Sequence, residues 1–245
     1  MKLKDINCLT TGASSGIGLS IVKELLNEGA HVFAISIDPM ELSHKNLINY
    51  TCDLSKETQV IASFNKAIET MSTIDVYIAN AGQARYGFSE GLGNTDRDLL
   101  FDLNVKAVMN GLNLMKKKYR DKPFTFVATS SVMAFWPLPG YSTYSATKAA
   151  ISTYVKGYRH EVNKNQKLIL VYPVATNTNF FKVSGQNHKS WMIQSPELVA
   201  KKVIKGIKRG TKDIYPSFLF KFTHNFFPFL LKPYIKREIK ILNKN

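Results

Sequence analysis

Thr11-Gly12-Ala13-Ser14-Ser15-Gly16-Ile17-Gly18 follows an apolar stretch, Ile6-Asn7-Cys8-Leu9-Thr10, and opens directly into the helical pattern Leu19-Ser20-Ile21-Val22-Lys23-Glu24-Leu25-Leu26. Strand, glycine turn and helix in that order decide the fold. Glycine permits the tight turn and lets a pyrophosphate approach the backbone, while the unpaired N–H groups and dipole of the helix start favour the anion. The spacing is Gly-x-x-x-Gly-x-Gly rather than the commoner Gly-x-Gly-x-x-Gly, and an ordinary loop can also carry such a turn.

Outward from this turn, apolar β-branched runs alternate with amphipathic stretches of helix length, the pattern of βα units feeding a parallel sheet. The spacing predicts strands at Ile6–Thr10, His31–Ser36, Leu47–Thr51, Val76–Ala79, Phe124–Thr129, Lys167–Tyr172 and Asp213–Tyr215. Helices are predicted at Gly16–Asn27, Glu57–Met71, Asp96–Lys118, Tyr144–Asn163 and Pro196–Arg209. Thr95 with Asp98 approximates a capping box, and Ser195-Pro196 sets a hydroxyl cap before a first-turn proline. The fold class is therefore α/β: a doubly wound, Rossmann-type, seven-stranded parallel sheet with helices on both faces, in a single domain over residues 1–217. Residues 218–245 read as an aromatic and basic C-terminal tail.

Composition bounds the rest. A chain of 245 residues, 44% hydrophobic and 21% charged, is an ordinary globular chain of one-domain size. The formal net charge is +15, and from Lys201 to Asn245 twelve Lys or Arg face only Asp213 and Glu238, so ten of the fifteen charges sit there. That concentration argues against a fold-wide nucleic-acid surface and for a local attraction, such as an anionic membrane. The start, Met1 to Asn7, does not resemble a signal peptide, so a cytoplasmic location is expected. Cys8 and Cys52 read as two buried free thiols rather than a disulfide or redox pair. His31, His44, His160, His188 and His224 lack ligand spacing, so no metal is expected.

Further motifs follow in order: Cys52-Asp53-Leu54, Asn80-Ala81-Gly82, Leu103-Asn104-Val105, Ser131 and Tyr144-Ser145-Ala146-Thr147-Lys148. With the glycine turn they resemble the short-chain dehydrogenase/reductase family over roughly Ile6 to Ser217. Tyr144 is the only one of the eleven tyrosines with a lysine four residues later. On a helix, positions i and i+4 share a face, so the Lys148 ammonium can stand near the Tyr144 phenol. A phenol titrates near pH ~10, and a neighbouring cation favours phenolate, each tenfold gain in acidity being worth about 1.4 kcal/mol. A proton-transferring group working near neutrality needs such a gain.

The resemblance implies that Tyr144 exchanges a proton with the substrate oxygen while hydride passes to or from a nicotinamide. It implies that Lys148 also holds the nicotinamide ribose, that Ser131 hydrogen-bonds the substrate oxygen, and that Asn104 supports a proton path beside the lysine. Strand alternation aims the neighbouring Ser130 elsewhere. The cofactor contacts implied are Gly12, Ser14, Ser15, Gly16, Ile17 and Gly18 at the first turn and Ser36 at the end of the second strand. Asp53 and Leu54, then Asn80, Ala81 and Gly82, then Tyr144 and Lys148, and finally Pro173 and Thr178 complete the set. Asp53 resembles an adenine-contacting aspartate, with a helix cap as the alternative.

Two departures bear on the cofactor. At the end of the second strand an acidic residue would select NAD, and a small residue followed by arginine NADP. Here Ser36 and Ile37 satisfy neither rule, Asp38 comes late, and Ser15 stands where many NADP enzymes of the family carry a basic residue. Uncharged Ser36 favours NADP over NAD. Val174 occupies a family glycine position, which puts the usual backbone path beside the nicotinamide in question.

Segments Ala84–Phe88, Ala134–Tyr141 and Asn179–Trp191 supply the substrate pocket in the family, and Phe135, Trp136, Tyr141, Phe180, Phe181 and Trp191 suggest a lipophilic carbonyl or alcohol, against which Arg85 and Lys182 stand. In the tail, Tyr215, Phe218, Phe220, Phe222, Phe226, Phe227, Phe229 and Tyr234 alternate with Lys221, His224, Lys232, Lys236 and Arg237, while Pro228 and Pro233 interrupt a helix. The apolar runs are too short to span a bilayer, for which about 20 residues are needed. The tail suits the membrane periphery, with a dimer contact or a lid over the pocket as alternatives. The family is commonly dimeric or tetrameric, so a homodimer or homotetramer is expected. The expectation is an NAD(P)-dependent oxidoreductase; the competing readings are a catalytically idle dinucleotide-binding regulator and nucleic-acid binding through the tail.

Overall fold

The computed structural model describes residues 1–178, 180–185, 193–226 and 232–243. Asn179, Trp191, Phe227, Pro228 and Phe229 lie outside them, and the side chains of Phe181, Lys182, His224, Phe226, Lys232 and Tyr234 are likewise not described. Seven strands, β1 (Asn7–Thr11), β2 (His31–Ser36), β3 (Leu47–Thr51), β4 (Val76–Ala79), β5 (Phe124–Thr129), β6 (Gln166–Val171) and β7 (Asp213–Ile214), form one sheet in the order β3-β2-β1-β4-β5-β6-β7. Every pairing is parallel.

The period-2 alternation of the strands divides the core. Leu9, Tyr77, Phe126, Leu168 and Leu170 face one side, where they meet α2 (Glu57–Met71), α4 (Ala107–Tyr119) and α5 (Ser142–Tyr158) through Phe64, Leu112 and Ile151. Cys8, Val76, Ile78, Val127 and Ile169 face the other, covered by α1 (Gly16–Asn27) and α7 (Pro196–Arg209) through Ile21, Leu25, Val203 and Ile207. Both faces are apolar, as parallel strands buried on two sides must be. Ser195 caps α7 by accepting the Leu198 N–H at 3.2 Å, with Pro196 in the first turn, as the sequence predicts.

Three local expectations give way. The stretch Asp96–Lys118 is not one helix: α3 (Asn94–Phe101) passes into α4 through a π-helical turn at Asp102–Lys106. Its N-cap is Gly93, so Thr95 lies inside α3 and forms no capping box. α5 stops at Tyr158 rather than Asn163, because Arg159 turns to the sheet edge, donating to the Leu168 carbonyl at 3.1 Å and pairing with Asp213 at 3.1 Å.

After β7 come α8 (Phe218–Phe226) and α9 (Lys232–Leu242), with a four-residue helix, α6 (Phe180–Val183), between β6 and α7. Pro233 does not interrupt α9, since it occupies the first turn, where a missing N–H costs nothing. No helix among the described residues is long and apolar enough to cross a membrane.

Candidate active site

Sheet order reverses between β1 and β4, and the glycine turn leaves β1 at that point, over the carboxyl ends of the strands. Gly12 has φ 64°, and a Cβ there would stand 2.8 Å from the Ala81 Cα; Gly16 has φ 54°, and a Cβ would meet Thr178 Cγ2 at 2.8 Å. A Cβ on Gly18 would fall 1.9 Å from the Gly12 carbonyl oxygen. Gly18 therefore lets α1 close under the turn. Thr11, read only as the motif's first letter, fixes the turn: its Oγ1 accepts the N–H groups of Asn80 and Ala81, each at 3.0 Å.

A cleft of about 540 Å³ runs across these strand ends. Ser36 at the end of β2 and Asp53 after β3 line it; Gly12, Ser14, Ser15, Gly16 and Ile17 line it with Asn80, Ala81 and Gly82, as do Ser131, Tyr144, Lys148, Pro173 and Thr178. Leu54 belongs to the same wall. The Asp53 carboxylate is occupied locally, accepting the Ser55 N–H at 3.0 Å and its hydroxyl at 2.7 Å, while the N-cap of α2 is Lys56. Ser36 Oγ donates to the Asp38 carbonyl at 2.7 Å, leaving the Asp38 side chain at the rim.

Tyr144 and Lys148 share the buried face of α5, and Ser131 lines the same cleft as both. Ser130 points the other way, into α5, donating to the Lys148 carbonyl at 3.0 Å with Ser152 Oγ at 2.8 Å. The Lys148 ammonium donates to the Thr129 carbonyl at 2.9 Å. Burial holds it at about 8, down from an ordinary 10.5. Burial also pushes the Tyr144 phenol up, and the nearby Ser131 hydroxyl only partly opposes this. The lowered phenol expected from the lysine alone is thus not the resting condition, because desolvation outweighs a cation that faces the ring and a backbone carbonyl.

Asn104 sits in the π-helical turn, fully buried, behind the cleft wall rather than on it. Its Oδ1 accepts the Gln83 N–H at 2.9 Å, and its Nδ2 donates to the Gln83 carbonyl at 2.8 Å and to Thr147 Oγ1 at 3.1 Å. Such π turns recur at functional sites because they re-aim one side chain. A Cβ on Gly82 would lie 3.0 Å from Asn104 Oδ1 and 3.2 Å from Lys148 Nζ, so this glycine leaves the two groups adjacent. Val174 lines the cleft, is mostly buried, and keeps a negative φ, so the missing glycine is tolerated without a left-handed backbone.

The neighbouring pocket is apolar, built by Ala84, Leu103, Met133, Phe180 and Val183. Phe180 packs on the Tyr144 ring at 5.5 Å, and Tyr141 Oη bonds Ser184 Oγ at 3.1 Å, tying α6 to the start of α5. Arg85 pairs with Asp96 at 3.0 Å. Phe135 and Trp136 are corrections: Phe135 packs on Tyr172 at 4.8 Å and Trp136 edge-on against Phe220 at 4.7 Å, and neither lines the cleft. Cys8 is buried and Cys52 is half-buried at the cleft wall; both thiols are free, and burial pushes both pKa values up. No cluster with metal-binding composition occurs among the described residues.

Residues 7–189 match the short chain dehydrogenase family. The chain belongs to that family. This short-chain dehydrogenase is 30% identical to the sorbitol-6-phosphate 2-dehydrogenase of Klebsiella pneumoniae over 67% of its own length and 66% of the relative's. It spans about two thirds of the length of the curated relatives it matches first. Its fold is that of a Burkholderia phymatum short-chain dehydrogenase/reductase solved with NAD, with a TM-score of 0.83, 17% identity, and 92% and 93% of the two chains covered. It is equally that of a Burkholderia cenocepacia J2315 short-chain dehydrogenase solved with NADP, with a TM-score of 0.82, 19% identity, and 96% and 99% covered.

Proposed function

We propose that this short-chain dehydrogenase interconverts an alcohol and a ketone or aldehyde with a nicotinamide dinucleotide, Tyr144 moving the proton. The observation that carries this reading is that Tyr144, Ser131 and Lys148 line one cleft together with the glycine turn, the Lys148 ammonium 5.6 Å from the centre of the Tyr144 ring. The cradle fits a dinucleotide: Gly12, Gly16 and Gly82 are positions where a side chain would collide with the wall. Ser14, Ser15 and the start of α1 suit the phosphates, Asp53 and Leu54 the adenine side, and Lys148, Pro173 and Thr178 the nicotinamide side. When bound, the dinucleotide supplies or accepts the hydride.

The remaining chemistry belongs to the chain. Ser131 holds the substrate oxygen by a hydrogen bond, and Tyr144 Oη delivers a proton to it in reduction or takes one in oxidation. Lys148, cationic below about pH 8, stabilises the phenolate left by proton delivery. Asn104 holds the Gln83 backbone beside that lysine. The apolar lining from Met133, Phe180 and Val183, with Arg85 already paired, favours an uncharged lipophilic substrate. By the family's habit, the enzyme works as a homodimer or homotetramer.

For the cofactor, uncharged Ser36 favours NADP, but the whole rim favours NAD. Asp38 brings a carboxylate there, and the only Lys or Arg among the described lining residues are Lys148 and the paired Arg85. A 2′-phosphate would meet repulsion and no counter-ion. The experiment is a panel of lipophilic ketones and alcohols assayed by nucleotide absorbance with each cofactor, beside the two dissociation constants. Turnover with tighter NAD binding supports the reading; no turnover with either cofactor removes it, and tighter NADP binding reverses the cofactor assignment.

A further inference from the structure

We propose that α8 docks this protein onto an anionic membrane surface, an inference independent of the reaction proposed above. Phe220 sets the rotation of the helix. It is 1% exposed, packs on Trp136, and its N–H donates to the Ser217 hydroxyl at 3.1 Å, which caps the helix start. With Phe220 inward, Phe218, Leu219 and Phe222 fall within an arc of about 100° on the opposite side. They are 82%, 58% and 47% exposed.

Three large apolar side chains on one short arc are more than scattered surface hydrophobics, and such patches mark interaction sites. None of the described α8 residues lines the cleft, which argues against a lid. The charge points to the occupant. Exposed Lys221 borders the arc, and α9 buries Leu242 while exposing Lys236 and Lys240 one turn apart. A second copy would bring the same positive tail against this one, whereas an anionic surface complements it. Nucleic acid is also anionic, but Leu219 offers no ring for a base to stack on, while hydrocarbon suits all three side chains. Nine residues give a helix of about 13 Å, too short to span a bilayer and suited to lying in its interface.

The test is sedimentation of the full-length protein with phosphatidylcholine vesicles and with phosphatidylcholine–phosphatidylglycerol vesicles, at low and high salt. Binding to the anionic vesicles should be at least about tenfold stronger than to the neutral ones and should weaken with salt. A variant carrying Phe218→Asp and Leu219→Asp should bind at least about tenfold more weakly with an unchanged thermal transition, and Lys221→Glu should weaken binding on its own. Absence of vesicle binding, or full binding by the double variant, overturns the proposal. So does either alternative occupant: a wild-type oligomer that the double variant splits without any vesicle binding, or tighter binding to an oligonucleotide than to vesicles.

Discussion

The Lys148 ammonium lies 5.6 Å from the centre of the Tyr144 ring, one turn along the same helix, with its proton donated to the Thr129 carbonyl at 2.9 Å. Because burial lowers this lysine to about 8, its charge is lost within the range where an assay can be run. Turnover that depends on the cation should fall as pH rises through about 8, and Lys148→Met should be slow at every pH and lack that limb. The pH profile of kcat for the two proteins checks this.

The lowered lysine also fixes a stability trend. In the unfolded chain it keeps its proton up to its ordinary 10.5, so between about 8 and 10.5 this lysine is more protonated in the unfolded state and its contribution to stability rises with pH. Full relief is on the order of 3 kcal/mol. Urea unfolding across that window should show wild-type stability rising relative to that of Lys148→Met, the raised Cys8, Cys52 and Tyr144 groups acting in the opposite direction equally in both proteins.

Gly18→Ala should weaken dinucleotide binding by at least about tenfold, because its methyl group must push α1 or the Gly12 carbonyl away from a 1.9 Å overlap. Overpacking of this kind costs about 1–3 kcal/mol, so the thermal midpoint should fall as well. Fluorescence titration with the dinucleotide and a melting curve measure both effects.

Much of this architecture was legible because it rests on short-range pattern. The seven strands follow from short apolar, β-branched runs, and the turn after β1 from glycines whose reasons are local. The π turn at Asp102–Lys106 was not legible. No glycine or proline breaks the helical period there, and Asn104 is aimed by its hydrogen bonds to Gln83, which is distant in sequence. Phe135 and Trp136 misled for a related reason: proximity to Ser131 in the chain does not say which way a ring turns, and Tyr172 and Phe220 draw them aside. Pro233 reads as a breaker until its position in a first turn is known.

Ser184→Ala removes the hydroxyl that Tyr141 bonds at 3.1 Å and loosens α6, which holds Phe180 against the Tyr144 ring. Losing one buried hydrogen bond costs about 1–3 kcal/mol. The Michaelis constant for the carbonyl substrate should rise several-fold with the dinucleotide dissociation constant unchanged, as steady-state kinetics and a binding titration would report.

Tyr144→Phe keeps the ring against Phe180 and removes only the hydroxyl that meets Ser131. The decisive measurement is single-turnover hydride transfer by this variant with a substrate the wild type accepts, alongside its dinucleotide affinity. Wild-type affinity with the transfer rate reduced at least about a thousandfold is the expected result for loss of the proton-transferring group; wild-type transfer by the phenylalanine variant would contradict the role assigned to Tyr144.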